Sequence, residues 1–171
     1  MKMTRYLKKN KNEIGLSPQE LIFRGNRKIE EVGLRLIDFD ESEIEEKSIK
    51  KTSEIISYSK KESVTWLNID GLHDLEILKE VGEKFDLNNF ILADILETNS
   101  RPKIHEYENW IFISVKILEY DQEIETFTVE NLSIIFNDLM LITFQEKKGD
   151  IFEPVRVRIR NQKWTLRSSG P

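Results

Sequence analysis

Two pairs of apolar runs, each pair split by a two-residue polar break, constrain this chain more than any other feature. KIHEY and WIFISVKILEY flank Glu108-Asn109, and ENLSIIF and LMLITFQ flank Asn137-Asp138. β-Branched and aromatic residues suit a pleated surface, and short polar residues accept turn geometry, so each pair reads as two antiparallel strands joined by a tight hairpin. Period-two alternation puts Ile111, Ile113, Val115 and Ile117 on one face, and Leu132, Ile134 and Phe136 on one face of the next pair. That face is expected to be the core side of a sheet, covered by helices. The longest apolar runs, WIFISV and LMLITF, are about a third of the roughly 20 residues that cross a bilayer as a helix, so none of them spans a membrane.

The rest of the chain supplies more strands and the covering helices. Residues 1–30 are polar, with loop signals at Gly15, Ser17-Pro18 and Gly25, and read as a flexible leader without a secretory signal. Residues 31–171 then form one domain. Val32 to Phe39 is a mixed but strand-like stretch that ends in the acidic segment DFDESEIEE, and SVTWLNID reads as a buried strand stopping at Gly71. Ile49 to Lys60 carries apolar residues at helical spacing and predicts a short amphipathic helix. Asp74 can cap a helix whose stripe is Leu75, Leu78, Val81 and Phe85, and a second helix covers about Asn88 to Glu97, ending before Pro102. IFEPVRVRIR is ambiguous, because Val155, Val157 and Ile159 alternate like a strand while Pro154 suits a helix's first turn.

Charge and composition exclude several functions. A net charge of −5 argues against general attraction to nucleic acid, although Arg156, Arg158, Arg160, Lys163 and Arg167 form a local basic run. That run reads as a solvated helix face. With no cysteine there is no disulfide framework, thiolate metal site or thiol nucleophile, which fits a reducing compartment. Asp38, Asp40 and Ser42 begin like a calcium loop, but Glu43 stands where that loop needs Gly and Ile49 where it needs Glu. His73 and His105 lie far apart and read as surface or satisfied histidines. No phosphate-binding glycine motif and no nucleophile-base arrangement is present, so an enzyme has no positive support.

One acid remains to be explained. Asp94 lies among Ile91, Leu92, Ala93, Ile95 and Leu96 in the expected helix. At about 100° per residue, Asp94, Glu97 and Thr98 share a sector of about 100°, and the apolar residues fill the remainder. The helix thus has one narrow polar window. It either faces water or presents Asp94 as a ligand for a hydrated cation or as a charge at a subunit contact.

The stretches FILADILETNSRPKIHEYENWIFISVKILEYD and ENLSIIFNDLMLITFQEKKGDIFEPVRVRIR, preceded in order by GLSPQELIFRG, LRLIDFDE and VTWLNIDGLHD, resemble the cytoplasmic domain of the CorA family of magnesium transporters. The resemblance implies an α/β (α+β) fold: an α/β/α layered sandwich whose mixed, largely antiparallel sheet is flanked by helices, with IFEPVRVRIR helical. It also implies a long stalk helix and two membrane helices beyond these residues, the first ending in Gly-Met-Asn, so that 31–171 would be a soluble piece truncated before them. The whole protein would be a homopentamer in the cell (inner) membrane, with this domain on the cytoplasmic side. It would meet no nucleic acid and touch the membrane only through those further helices. Mg²⁺ is the implied regulatory and transported ion, with Co²⁺ or Ni²⁺ as further candidates.

In the family the regulatory magnesium site uses an aspartate at the position of Asp94, facing an aspartate on the neighbouring subunit's stalk. Ala93 stands where many relatives carry Glu, which puts a second metal site in doubt, so Asp94 alone is carried over. Glu97 joins it as a neighbouring acid on helix geometry only. Mg²⁺ keeps most of its waters and takes one or two carboxylates, so a site shared between subunits can be weak and easily emptied. Two carboxylates about 7 Å apart repel by roughly 2 kcal/mol at an effective dielectric of about 20, and a bound divalent cation reverses that sign. The alternatives are the cytoplasmic domain of a zinc- or cobalt-transporting relative, and a soluble module that binds a partner through its sheet edge or basic run.

Overall fold

In the computed structural model, which describes residues 20–58, 62–122, 125–149, 151–162 and 165–168, the two expected hairpins are part of one seven-stranded sheet. The strands are β1 (Gly33–Phe39), β2 (Ile44–Ile49), β3 (Val64–Asp70), β4 (Lys103–Tyr107), β5 (Trp110–Asp121), β6 (Thr126–Phe136) and β7 (Met140–Gln145). The helices are α1 (Leu75–Lys84), α2 (Asn89–Leu96) and α3 (Glu153–Arg160), with a 3-10 helix at Thr52–Ser57. The sheet order is β2-β1-β3-β7-β6-β5-β4, and only β3 and β7 run parallel. This is the expected mixed, largely antiparallel sheet with helices on both faces.

α1 and α2 cover one face. Leu36, Leu67, Ile69, Phe112, Ile135, Ile142 and Phe144 are buried on it, beneath Leu78, Val81, Ile91, Ile95 and Leu96. α1 starts where Asp74 accepts hydrogen bonds from the backbone N–H groups of Glu76 and Ile77 at 3.0 and 3.2 Å. Those donors have no partner inside the helix, so Asp74→Ala is expected to lower stability by about 1 kcal/mol, read as a shift of the urea midpoint at constant slope. α2 is capped likewise, with Asn88 Oδ1 accepting from Ile91 N–H at 3.0 Å. The two helices meet at Gly82, where an added Cβ would lie 2.7 Å from Leu92 Cδ1. Gly82→Val is therefore expected to destabilise by about 1–3 kcal/mol through overpacking and to displace α2, which chemical shifts of α2 amides would report.

The other face is covered by α3 over its β1-β3-β7 half. Ile37, Phe39, Val64, Trp66 and Ile159 form a second core there, with Leu141, Phe152 and Val155 packed on it. Trp66 meets Phe152 edge-on at 5.2 Å and donates its indole N–H to Thr143 Oγ1 at 3.0 Å.

Three expectations need correction. Ile111, Ile113, Val115, Ile117 and Ile134 do share a face, but they are only half-buried; the main core is on the opposite side, through Trp110, Phe112 and Ile135. Both faces of β5 are apolar, and alternation alone does not say which the larger helical layer covers. The acidic segment after Phe39 does not end the sheet: β2 pairs with β1 as an edge strand, after a turn in which Asp40 Oδ1 accepts from Ser42 N–H and Glu43 N–H. Between Ile49 and Lys60 the regular element is the 3-10 helix, with residues 59–61 outside the described set. Of the expected leader, residues 1–19 also lie outside it; residues 20–32 carry no helix or strand, and Leu21 and Phe23 pack on the larger core.

Candidate metal site

α2 carries Asp94 to the outer edge of the domain, beside the edge strand β4. Ile91, Leu92, Ala93, Ile95 and Leu96 are buried, which leaves Phe90, Asp94 and Glu97 as the outward stripe, at i, i+4 and i+7. The C-terminal end of α2 is tied down. Arg24 N–H donates to the Leu96 carbonyl at 2.9 Å, while Thr98 Oγ1–H and Asn99 Nδ2–H both donate to the Arg24 carbonyl at 3.1 Å. The Lys116 ammonium donates to the Thr98 carbonyl and to Asn131 Oδ1. Burial pushes the pKa of that ammonium down. The helix that displays Asp94 is thus held at its cap, along its buried side and at its end.

Asp94 itself is neither sequestered nor free. Its side chain is 26% exposed and its Oδ1 is 2.5 Å from the ammonium of Lys103, the first residue of β4. No backbone donor reaches its carboxylate among the described residues. Tyr107, two pleats along the same face of β4, feels that carboxylate: burial first, and the charge of Asp94 second, push its hydroxyl above the ordinary tyrosine pKa. Glu97 is turned to other work, accepting from Asn99 N–H at 3.3 Å and facing Arg24 Nε at 3.8 Å. Phe90, one turn before Asp94, is 49% exposed.

Asp94 offers a magnesium ion one accessible hard oxygen ligand and no cage, since no group of three or more His, Asp or Glu side chains converges among the described residues. That donor set fits an ion which keeps most of its water and takes one or two carboxylates, the remainder coming from elsewhere.

The other residues singled out in the sequence have local tasks. Asp38 is buried and accepts from the Ser63 and Thr65 hydroxyls. His73 is within hydrogen-bond distance of the Glu30 carbonyl, and His105 stacks on Tyr107 at 6.2 Å. The basic run is a solvated face only in part. Arg156 is buried, its guanidinium 5.3 Å from the Trp66 ring centroid, and Arg167 is buried and donates to the Ile159 carbonyl at 2.7 Å. Arg160 pairs with Glu46 at 2.8 Å across to β2, Arg158 is exposed, and Lys163 lies outside the described residues. Sequence reading missed Lys103, Tyr107 and Phe90. Only Phe90 left a signal, at the helical spacing of four residues before Asp94.

Residues 61–170 match the family described as CorA-like Mg²⁺ transporter protein. The chain is 32% identical over 153 residues to the cobalt/magnesium transport protein CorA of Thermotoga maritima, covering 90% of this chain and 43% of that one. It therefore spans less than half the length of that relative. Among solved structures it is similar to the soluble domain of CorA from Methanocaldococcus jannaschii, at a TM-score of 0.52 and 17% identity over 77% of this chain and 46% of that one. It is also similar to the ZntB cytoplasmic domain from Vibrio parahaemolyticus, at a TM-score of 0.54 and 14% identity over 77% and 51% of the two chains. At these identities the structural likenesses speak to the fold alone.

Proposed function

This chain belongs to the CorA-like Mg²⁺ transporter family, and from that premise we propose that it is the cytoplasmic Mg²⁺-sensing domain of a divalent cation transporter. In this reading Asp94 presents its carboxylate to an acid of the adjoining subunit in a homopentamer. Intracellular Mg²⁺ shared between the two holds the subunits together and closes the ion pore. When magnesium falls the site empties and like charges face each other across the contact. Mg²⁺ and Co²⁺, the ions in the name of the Thermotoga maritima relative, are the proposed transported species. No helix among the described residues is long and apolar enough to cross a membrane, so the pore would lie in other parts of the whole protein.

The observation that carries the reading is the placement of Asp94. A rigidly held helix turns one half-exposed carboxylate outward at the edge of the domain, beside the exposed ring of Phe90 and paired only with a lysine side chain among the described residues. The fold's own carboxylates are held by several partners: Asp74 by two backbone donors at the start of α1, and Asp38 by the Ser63 and Thr65 hydroxyls. Glu97 remains in the proposal as a neighbouring charge and a second candidate ligand, free to turn to the ion only if its hold on Arg24 is released. An oxygen-only donor set also suits Mg²⁺ better than Zn²⁺. The test is flux through the whole transporter in liposomes as magnesium on the domain's side is raised. Flux should fall as the ion accumulates; flux indifferent to magnesium on that side would overturn the reading.

A further inference from the structure

We propose that Lys103 is a built-in competitor for the cation at Asp94, occupying the carboxylate when magnesium is scarce and setting how much magnesium is needed to displace it. This rests on the reading of Asp94 as a metal ligand and adds the element that tunes it. The ammonium is 2.5 Å from Asp94 Oδ1, and the two side chains are 25% and 26% exposed, so the pair is open to exchange from solvent. An ammonium and a hydrated magnesium ion seek the same negative charge, and a lysine cation already at the carboxylate repels an approaching divalent cation, so the two compete for Asp94.

The position of Lys103 is fixed while its charged head is not. The backbone is anchored as the first residue of β4, paired with Ser114 of β5 and preceded by Pro102. The ammonium also lies over the Phe112 ring, 5.8 Å from its centroid. The flexible four-carbon stem lets the head swing to solvent while the backbone stays in the strand. Lys103 thus offsets part of the Asp94 charge in the empty state, so that repulsion between subunits is reduced and not abolished, and it yields when a divalent ion arrives. A half-exposed pair of this kind is weak, so displacement should raise the required magnesium only severalfold. That is enough to set a threshold without blocking the site.

The test uses the whole transporter and reads resistance to limited proteolysis as magnesium is titrated. Lys103→Met, which keeps the stem and removes the charge, should lower the magnesium concentration for half-maximal protection about two- to fivefold, the range spanned by exposed ion pairs. Lys103→Gln should act in the same direction, and Lys103→Arg should leave the midpoint at or above the parent value. In an Asp94→Ala background Lys103→Met should do nothing, because there is no carboxylate left to contest. A midpoint that stays put or rises in Lys103→Met, while Asp94→Ala alone weakens protection, overturns the role of Lys103 and leaves Asp94 standing. An equal shift with and without Asp94 also overturns it. If Asp94→Ala alone leaves the midpoint unchanged, the metal reading fails and the competitor role with it.

Discussion

Phe112→Ala is expected to remove about 3–5 kcal/mol of stability, the cost of truncating a fully buried aromatic ring and leaving a cavity. Phe112 has no exposed surface and lies in the larger core with Ile135, its neighbour across β5 and β6. Domains are stable by only about 5–15 kcal/mol, so the loss would be a large share of the total. The effect reaches the proposed site as well, since the same ring lies beneath the Lys103 ammonium. Ile113→Ala, one residue along and on the half-covered face, is expected to cost less than Phe112→Ala. Urea unfolding of the two variants decides which side of β5 holds the main core; equal losses would contradict the assignment made here.

Asp94→Ala is expected to shift the magnesium concentration that half-inhibits transport upward by at least about tenfold, leaving the pore active where the parent protein has closed. The magnitude follows from charge alone. A carboxylate and a divalent cation about 5 Å apart attract by about 1.7 kcal/mol even at the dielectric of water, which is more than a factor of ten in affinity, and the attraction grows in a subunit contact that excludes water. Asp94→Asn keeps the shape of the side chain and removes the charge, so it should behave like the alanine variant. Folding should survive both changes, because the pair with Lys103 is only half-buried and open to water, and pairs near the surface contribute about 0–1 kcal/mol. Inhibition at unchanged magnesium in both variants would remove Asp94 from the account.

Much of the fold was legible because strand and helix periods leave different marks. The hairpins through Glu108-Asn109 and Asn137-Asp138 carried β-branched runs and turn residues, and α1 carried both its stripe and its cap at Asp74. β2 was hidden because IEEKSI has the composition of a loop; an edge strand with one side in water tolerates Glu and Lys, and such charges discourage pairing with other chains. VRVRIR was ambiguous because a strand reading and an i, i+4 helical reading share Val155 and Ile159, and only the second core beneath α3 separates them. The outward placement of Asp94 could be read from the apolar residues around it. Its pairing with Lys103 could not, because that contact joins a helix to a strand across the loop from Glu97 to Pro102 and no periodicity links the two. Arg156 and Arg167 looked like surface charges for a similar reason: their burial depends on Trp66 and on the Ile159 carbonyl, which are not adjacent to them in sequence.

On the proposed reading, a divalent ion shares Asp94 with an adjoining subunit. The most direct measurement is anomalous diffraction from crystals of the whole transporter grown with Mn²⁺, an oxygen-seeking octahedral stand-in for Mg²⁺. A manganese peak is expected at the Asp94 carboxylate, flanked by an acid of the next subunit, with the Lys103 ammonium swung away. Manganese bound elsewhere in the same crystals, with Asp94 still paired to Lys103 and no peak beside it, would rule out Asp94 as the shared ligand.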